Sequence, residues 1–329
     1  MQPTIYFTDT HDPWYNLAVE EYLLNHLAAD EVIFYLWQNQ NTVVIGKNQN
    51  PWRECQIKLL DQDSGKLARR ISGGGAVFHD LGNLNFSFIV PKAVYDLQRQ
   101  LKVILTAVQS LGIAAEFQGR NDLQVVGRKF SGNAFCWKTQ SVLHHGTLLV
   151  EADLEKLTKY LQVSSDKIRS KGVDSIRSRV INLSDCVPLL NIHHVAEALL
   201  QSFAQEYGPP HKQYSETGHL DAAEIRALYD RNASWGWRYG HAPEFDILLE
   251  TRFNWGDLQL YFKLTNGNIT HAQVYSDALD EAFISQLPCI FQGCKLNAQD
   301  LSERLQASTW NQSQKEFALE IANWLQSKL

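Results

Sequence analysis

Positive charge is scarce here for a nucleic-acid binder. Across 329 residues, 30 Lys and Arg stand against 36 Asp and Glu, a net charge of −6, whereas general nucleic-acid binding shows as a basic excess. A local basic pocket for a phosphate is still compatible with that balance. Long apolar runs are missing too: no segment reaches the ~18 residues of a membrane span. The opening MQPTIYFTDTHDPW has neither the basic start nor the apolar stretch of a secretory signal. Five cysteines (Cys55, Cys136, Cys186, Cys289, Cys294) form no CxxC pair, and their odd number makes a poor disulfide framework. Reduced thiols in a cytoplasmic protein are the expectation. HExxH and Cys/His ligand spacings are absent, which argues against zinc. So are GxxxxGK[ST] and GxGxxG, so neither standard nucleotide loop applies. No internal repeat and no low-complexity tract is present.

What is there is an ordinary globular balance, 44% hydrophobic and 20% charged, on a chain long enough for about two domains. TIYFTD reads as a strand, and Asp12-Pro13 then supplies an N-cap with proline at the first helical position before PWYNLAVEEYLLNHL. EVIFYLW and NTVVIGK are β-rich runs parted by QNQN, and KLARRIS and NLNFSFIV read as two more strands. VYDLQRQLKVILTAVQSLGI has helical spacing and stops at Gly112. AEFQGRNDLQVVGRKFSGNAF and SVLHHGTLLV return to strands, and helical patterns dominate from Asp153 to about Tyr207. Beyond ASWGWRYGHAPEFD, strand-like alternation resumes with Asn266-Gly267 as a hairpin turn, and helices finish the chain. The expected organisation is α+β throughout: a large domain over 1–243 and a small one over 244–329.

Four segments can carry chemistry. In RRISGGGAVFHDLGNLNFSF, Gly73, Gly74 and Gly75 let a ligand approach the backbone, and their amides can turn toward an anion as a nest does. A tight turn with solvated arginines explains the same letters. If Arg69 and Arg70 lie on a strand, their side chains point to opposite faces, so one at most enters a given site. GRND places Asn121 beside Asp122, suited to a hydroxyl or a hard metal ion, or simply to a hairpin turn. GRKFSGNA sets Lys129 in a glycine-bounded loop, and HHGTLL adds His144 and His145 before a strand. These histidines also fit a satisfied core or surface role. Cys136 is a candidate nucleophile that equally suits burial.

Together these segments resemble lipoate–protein ligase A of the biotin/lipoate protein ligase superfamily, in its bacterial form with a C-terminal accessory domain. The resemblance is carried by DPWYNLAVEEYLL, NTVVIGKNQNPWREC, ARRISGGGAVFHDLGNLNFSF, GRNDL, GRKFSGNAF, HHGTLL and VDSIRSRVINL, then by ASWGWRYGHAPEF, RFNWGDLQLYF and ITHAQVYSD. RRxSGGGAVFHDxGN together with GRKxSGxA is far more specific than any one glycine loop. The resemblance implies a biotin/lipoate-ligase-type catalytic domain of mixed sheets flanked by helices, plus a small α+β domain that gates acceptor entry. It implies an AMP-forming reaction: lipoate and ATP give lipoyl-AMP, and the lipoyl group moves to a lysine of an acceptor. Lys129 is then the catalytic cation. Arg70, Gly74, Gly75, Ala76, Val77, Phe78, His79, Asn83, Asn121 and Lys129 serve ATP and lipoyl-AMP, and Trp37, Arg70, Val77, Lys129 and His145 serve lipoate. Leu17 and Val44 are further candidates for the apolar slot, each equally a core residue. Asp122 is the candidate Mg2+ ligand. Expected partners are lipoyl domains of 2-oxoacid dehydrogenase acyltransferase subunits and glycine-cleavage H-protein, with no nucleic acid, no membrane and a monomeric chain. A lipoyl or octanoyl transferase working through Cys136, and a non-catalytic lipoyl-binding module, are the alternatives.

Overall fold

The run NLNFSFIVP alternates polar and apolar side chains, and in the structure, a computed structural model, it is a central strand buried on both faces. The described residues are 1–118, 122–161, 180–215, 217–239, 247–265 and 267–329. They divide into two units, the first comprising 1–45, 51–72 and 76–238. Its strands are β1 (Gln2–Phe7), β2 (Glu31–Trp37), β3 (Thr42–Ile45), β4 (Lys66–Arg69), β5 (Val77–His79), β6 (Asn83–Pro91), β7 (Ala115–Gln118), β8 (Asp122–Val125), β9 (Arg128–Trp137), β10 (Ser141–Leu149) and β11 (Lys212–Tyr214). Eight of them form one mixed sheet, β11-β1-β2-β6-β10-β9-β8-β7, and a small sheet runs β4-β3-β5. β1 pairs in parallel with β2 and β11, whereas β2, β6, β10 and β9 are antiparallel neighbours.

Register decides which side chains meet. Tyr35 lies opposite Ser87 and Trp37 opposite Asn85 across β2–β6; Ser87 lies opposite His145 and Asn85 opposite Thr147 across β6–β10. Directly opposed residues share a face and alternate residues switch it. Tyr35, Trp37, Asn85, Ser87 and His145 therefore crowd one face, and Phe34, Leu36, Phe86, Phe88 and His144 the other. The second face is closed by α4 (Leu97–Ser110) and α6 (Ile192–Tyr207) through Leu101, Ile104, Val195, Leu199 and Phe203. Asp96 caps α4 by accepting from Arg99 N–H, and Gly112 just past its end takes φ +84°.

The first face is covered by α1 (Pro13–Asn25), capped by Asp12, whose Oδ1 accepts from the N–H groups of Trp14 and Tyr15. Leu17, Ala18 and Leu24 of α1 pack with Tyr35, Trp37, Val44, Ile89, Cys136 and Leu143. Burying Leu17 and Leu24 contributes about 2 kcal/mol each. That packing holds α1 down and carries Glu20, 1% exposed, into the interior with it. Short helices α2 (Pro51–Glu54), α3 (Ile57–Gln62) and α5 (Leu154–Tyr160), then α7 (Ala222–Ala233) and α8 (Trp235–Tyr239), complete the elements up to the end of this unit. The helix expected from Asp153 to Tyr207 is interrupted. Residues 162–179, with most of VDSIRSRVINL, lie outside the described residues, and 181–190 are irregular apart from one 3-10 turn at Leu183–Asp185. Pro188 in that stretch lacks the N–H that a helix interior requires.

The second unit comprises 46–50, 73–75 and 239–329. Strands β12 (Ile247–Phe253), β13 (Gly256–Thr265) and β14 (Asn268–Ser276) form an antiparallel meander. It packs on α9 (Glu281–Phe291), α10 (Ala298–Ala307) and α11 (Gln312–Lys328) around Leu258, Phe262, Phe283, Leu287 and Ile321. Gly267 turns the β13–β14 hairpin at φ +76°; Asn266 lies outside the described residues, as does the 243/244 position read from the sequence.

Candidate active site

The two consecutive arginines part company where β4 ends. Arg69 Nε and Nη2 donate to the carbonyls of Trp237 and Arg238, both at 2.9 Å, and Trp237 Nε1 donates back to Arg69 O at 2.9 Å. Arg69 thus clasps α8. Arg70 turns inward: Nε donates to Ser72 Oγ at 3.0 Å and Nη1 to Val44 O at 3.4 Å. Burial pulls its guanidinium down to about 10, with the Glu20 carboxylate acting the other way. It is still charged at neutral pH.

From Ser72 a line of polar atoms crosses the buried face of the large sheet. Ser72 Oγ is 2.7 Å from His145 Nε2, His145 Nδ1 is 2.8 Å from Glu20 Oε1, and Ser87 Oγ donates to the same Glu20 oxygen at 2.5 Å. Trp37 Nε1 donates to Ser87 Oγ at 3.1 Å. The sequence-predicted Trp37, Arg70 and His145 are thereby joined through Ser72, Glu20 and Ser87, none of which the motif reading nominated. A carboxylate on the Leu17–Leu24 stripe of α1 was the available signal for Glu20, because apolar periodicity marks that stripe as buried. Ser72 stands inside RRISGGG, and Ser87 on the polar side of NLNFSF.

His79 sits against Trp37, ring centroids 6.2 Å apart. Burial, then the charge of Arg70, pushes its pKa down to about 3. The neutral ring accepts at Nδ1 from Asn39 Nδ2 at 3.1 Å, because Asn39 Oδ1 is already taken by Asn16 Nδ2. That fixes the proton on Nε2, which is buried without a partner. On β6, Asn83 Nδ2 donates to Asn85 Oδ1 at 2.9 Å, leaving Asn83 Oδ1 and Asn85 Nδ2 buried and unsatisfied. Unmet polar atoms in a dry interior are costly, so each of these three is open to a polar ligand.

Phe78 is buried, its ring 5.4 Å from that of Tyr160, while Ala76 and Val77 are half-buried and Val77 packs on the cluster of Trp37 and Leu17. Gly74 N–H donates to Ala278 O at 3.1 Å within the second unit, and a Cβ on Gly73 would stand 2.6 Å from that oxygen. These two glycines allow close packing. Gly75 is exposed with open space where a side chain would go.

Lys129 projects from β9 with its side chain 35% exposed, and its Nζ lies 2.7 Å from Asp122 Oδ1. A Cβ on Gly132 would fall 2.8 Å from that Nζ, so the glycine leaves room for the ammonium. Gly132 N–H reaches Thr147 Oγ1 at 3.4 Å, and Thr147 faces Asn85, which links the lysine's strand to the polar face. Asn121 lies outside the described residues. Among the described residues no group of three His, Cys, Asp or Glu could hold a metal ion; Asp122 is a single carboxylate already paired with Lys129.

His144 belongs to the opposite face, stacked on Phe88 and Phe135. Burial pushes its pKa to about 3. Gln100 Oε1 stands 2.9 Å from Nδ1 and Asn133 Oδ1 2.8 Å from Nε2, yet a neutral ring donates only once. Gln100 Nε2 is buried without a partner, and a half-turn of that amide satisfies both groups. His79 and His144 lie below the usual 6.5 in the fold, so the unfolded chain takes up more protons as pH drops. Stability is full above about pH 6.5 and falls below it, by about 2 kcal/mol per ring at pH 5. Thermal denaturation at pH 7 and pH 5 checks this, and His144→Gln should remove about half of the difference.

A mixed α+β unit holding a buried arginine, an apolar cluster around Trp37 and a lysine about a third exposed is followed by a small α+β unit. Residues 12–204 match the lipoyl protein ligase A/B catalytic domain and residues 242–325 the bacterial lipoate protein ligase C-terminus; the chain belongs to this family. The crystal structure of P. falciparum LipL1 in complex with lipoate is similar over 99% of this chain and 99% of its own, at 30% identity and TM-score 0.87. The bipartite lipoate protein ligase of Thermoplasma acidophilum, studied with its E2 lipoyl domain, is 27% identical, covering 75% of this chain and all of its own at TM-score 0.66. A lipoate-protein ligase A bound with ATP is 25% identical over 73% of this chain and 99% of its own, at TM-score 0.64. No helix among the described residues is long and apolar enough to cross a membrane.

Proposed function

We propose that this protein is an ATP-dependent lipoate–protein ligase. It condenses lipoate with ATP to lipoyl-AMP and pyrophosphate, then passes the lipoyl group to the lysine amine of an acceptor domain. The observation that carries the reading is Lys129: an ammonium at the rim of the buried polar face, over a glycine, held by one partly exposed carboxylate and so free to move. The first step drives a carboxylate against the α-phosphate. Two unit charges about 4 Å apart repel by ~1 kcal/mol in water and by ~4 kcal/mol at an effective dielectric near 20. The second figure applies, because an acyl-adenylate has to be shielded from water. Lys129 bridging the two anions offsets that cost, and Arg70 adds a second charge that burial has not removed. His79 Nε2–H, Asn83 and Asn85 supply neutral hydrogen bonds to the nucleotide.

The aliphatic tail of lipoate would lie along Trp37 and Val77, with Leu17 and Val44 behind them in the same cluster. Five buried carbons at about 0.8 kcal/mol each give several kcal/mol before ordering costs. Where magnesium accompanies the nucleotide, Asp122 would hold it, and the ion would offset phosphate charge. The relative solved with its E2 lipoyl domain supports a lipoyl domain as acceptor; acyltransferase subunits of 2-oxoacid dehydrogenases and glycine-cleavage H-protein present such a lysine.

The test is release of AMP and pyrophosphate from free lipoate and ATP. Transfer only from a preformed thioester, without AMP, would instead identify a transferase. That alternative needs an accessible thiolate, and Cys136 is 3% exposed among Trp37, Ile89 and Leu143. Cys136→Ser is expected to keep turnover within a few-fold of the parent protein, and loss of activity in a folded variant would revive the thioester route.

A further inference from the structure

Buried hydrogen bonds have direction, and the line from Arg70 to Trp37 is bounded at both ends by groups that can only donate. At one end Arg70 Nε–H can only donate, so Ser72 Oγ accepts from it (3.0 Å). At the other end Trp37 Nε1–H can only donate, so Ser87 Oγ accepts (3.1 Å) and turns its own proton to Glu20 Oε1 (2.5 Å). An ionised Glu20 can only accept, so His145 Nδ1 carries a proton and gives it to the same oxygen (2.8 Å). With that proton on Nδ1, a bare Nε2 accepts the Ser72 hydroxyl proton (2.7 Å). Every donor has an acceptor, and the line converges from both ends on one carboxylate oxygen.

We infer that Glu20 is a positioning residue for the reaction: through His145 and Ser72 it fixes where Arg70 presents its guanidinium. The inference rests on the ligase reading above, in which Arg70 faces the anionic reactants. Three observations support it. Glu20 is 1% exposed on the stripe of α1 that carries Leu17 and Leu24, a place where leucine would pack at no electrostatic cost. Its Oε2 is buried with no hydrogen-bond partner, so the carboxylate is not there to complete a symmetric structural network. And its charge acts on the buried Arg70, to which it is tied through only two side chains, His145 and Ser72. Ser72 occupies Nε of the guanidinium and so sets the plane in which the Nη groups meet a ligand. A glutamine at position 20 would no longer compel His145 to carry its proton on Nδ1. With the proton on Nε2, His145 donates to Ser72 Oγ and the Ser72 hydroxyl loses its acceptor, so Ser72 must turn and carry with it the oxygen that Arg70 Nε uses.

The experiment is a double-mutant cycle on the full chain with Glu20→Gln and Ser72→Ala. Its readouts are the lipoate KM in AMP release, the rate of transfer from supplied lipoyl-AMP, and a crystal structure of Glu20→Gln. Each single change is expected to raise the lipoate KM by on the order of 10- to 100-fold. Transfer from lipoyl-AMP should stay within a few-fold, and the double variant should be no worse than the weaker single one, since both act along one line. Ser72→Thr, which keeps the hydroxyl, should recover most of the loss. In the Glu20→Gln crystal, Arg70 Nε should stand beyond hydrogen-bond reach of Ser72 Oγ. Additive effects, or a crystal with the Arg70–Ser72–His145 line unchanged, would overturn the inference. Absence of AMP release by the parent protein would instead overturn the ligase reading, and the crystal would still judge Glu20.

Discussion

Lys129→Ala is expected to lower the rate of lipoyl-AMP formation by on the order of 10^2- to 10^3-fold or more, as loss of a preorganised charge at a developing oxyanion does. The fold should barely notice. Lys129 and Asp122 are each about a third exposed in their side chains, and pairs of that kind contribute about 0–1 kcal/mol to stability. A large kinetic effect with an unchanged melting temperature is therefore the signature, read by pyrophosphate release alongside thermal denaturation. Gly132→Ala is a milder version of the same test. Its new methyl would stand 2.8 Å from Nζ and 3.0 Å from Cε, and because the lysine tip is flexible the ammonium shifts rather than the strand. Adenylation should fall in that variant while the protein stays folded. Near-normal turnover in Lys129→Ala would remove this residue from the mechanism, and with it the observation on which the ligase reading leans.

What the sequence revealed and what it concealed divide along a physical line. Strands such as EVIFYLW and SVLHHGTLLV, and the helix capped by Asp12-Pro13, were legible because their local propensities and their tertiary environment agree. Arg70, His145 and Trp37 were legible through motif resemblance. Their connectors were not, because Glu20, Ser72 and Ser87 lie 15 to 67 positions apart in pairwise separation along the chain and meet only through the register of β6 with β10 and the docking of α1. Nor did the letters distinguish the histidines of HHG. Adjacent strand residues face opposite ways, so His145 enters the polar line while His144 stacks between Phe88 and Phe135. The triple glycine was ambiguous for a related reason. A residue without a side chain serves a close backbone neighbour, as Gly73 does with Ala278 O, as readily as it serves a ligand.

Arg70→Met should cost stability as well as activity, and the two losses should be separable. The guanidinium is buried, and its removal leaves Glu20 as an uncompensated buried carboxylate. Removing one partner of a buried pair costs about 3–5 kcal/mol; the low end, about 3 kcal/mol, applies because these charges are bridged by Ser72 and His145 rather than touching. For a unit of this size that is a drop in melting temperature of about 10 °C. Adding Glu20→Gln removes the stranded charge, so the double variant should regain most of the lost melting temperature. It should regain no lipoate turnover, because neither charge at the reacting carboxylate and phosphate is restored by neutralising the other. Calorimetry on the two single variants and the double one, with pyrophosphate release measured in parallel, makes the comparison. A double variant no more stable than Arg70→Met would mean that Glu20 is neutral in the fold and that Arg70 balances no charge there.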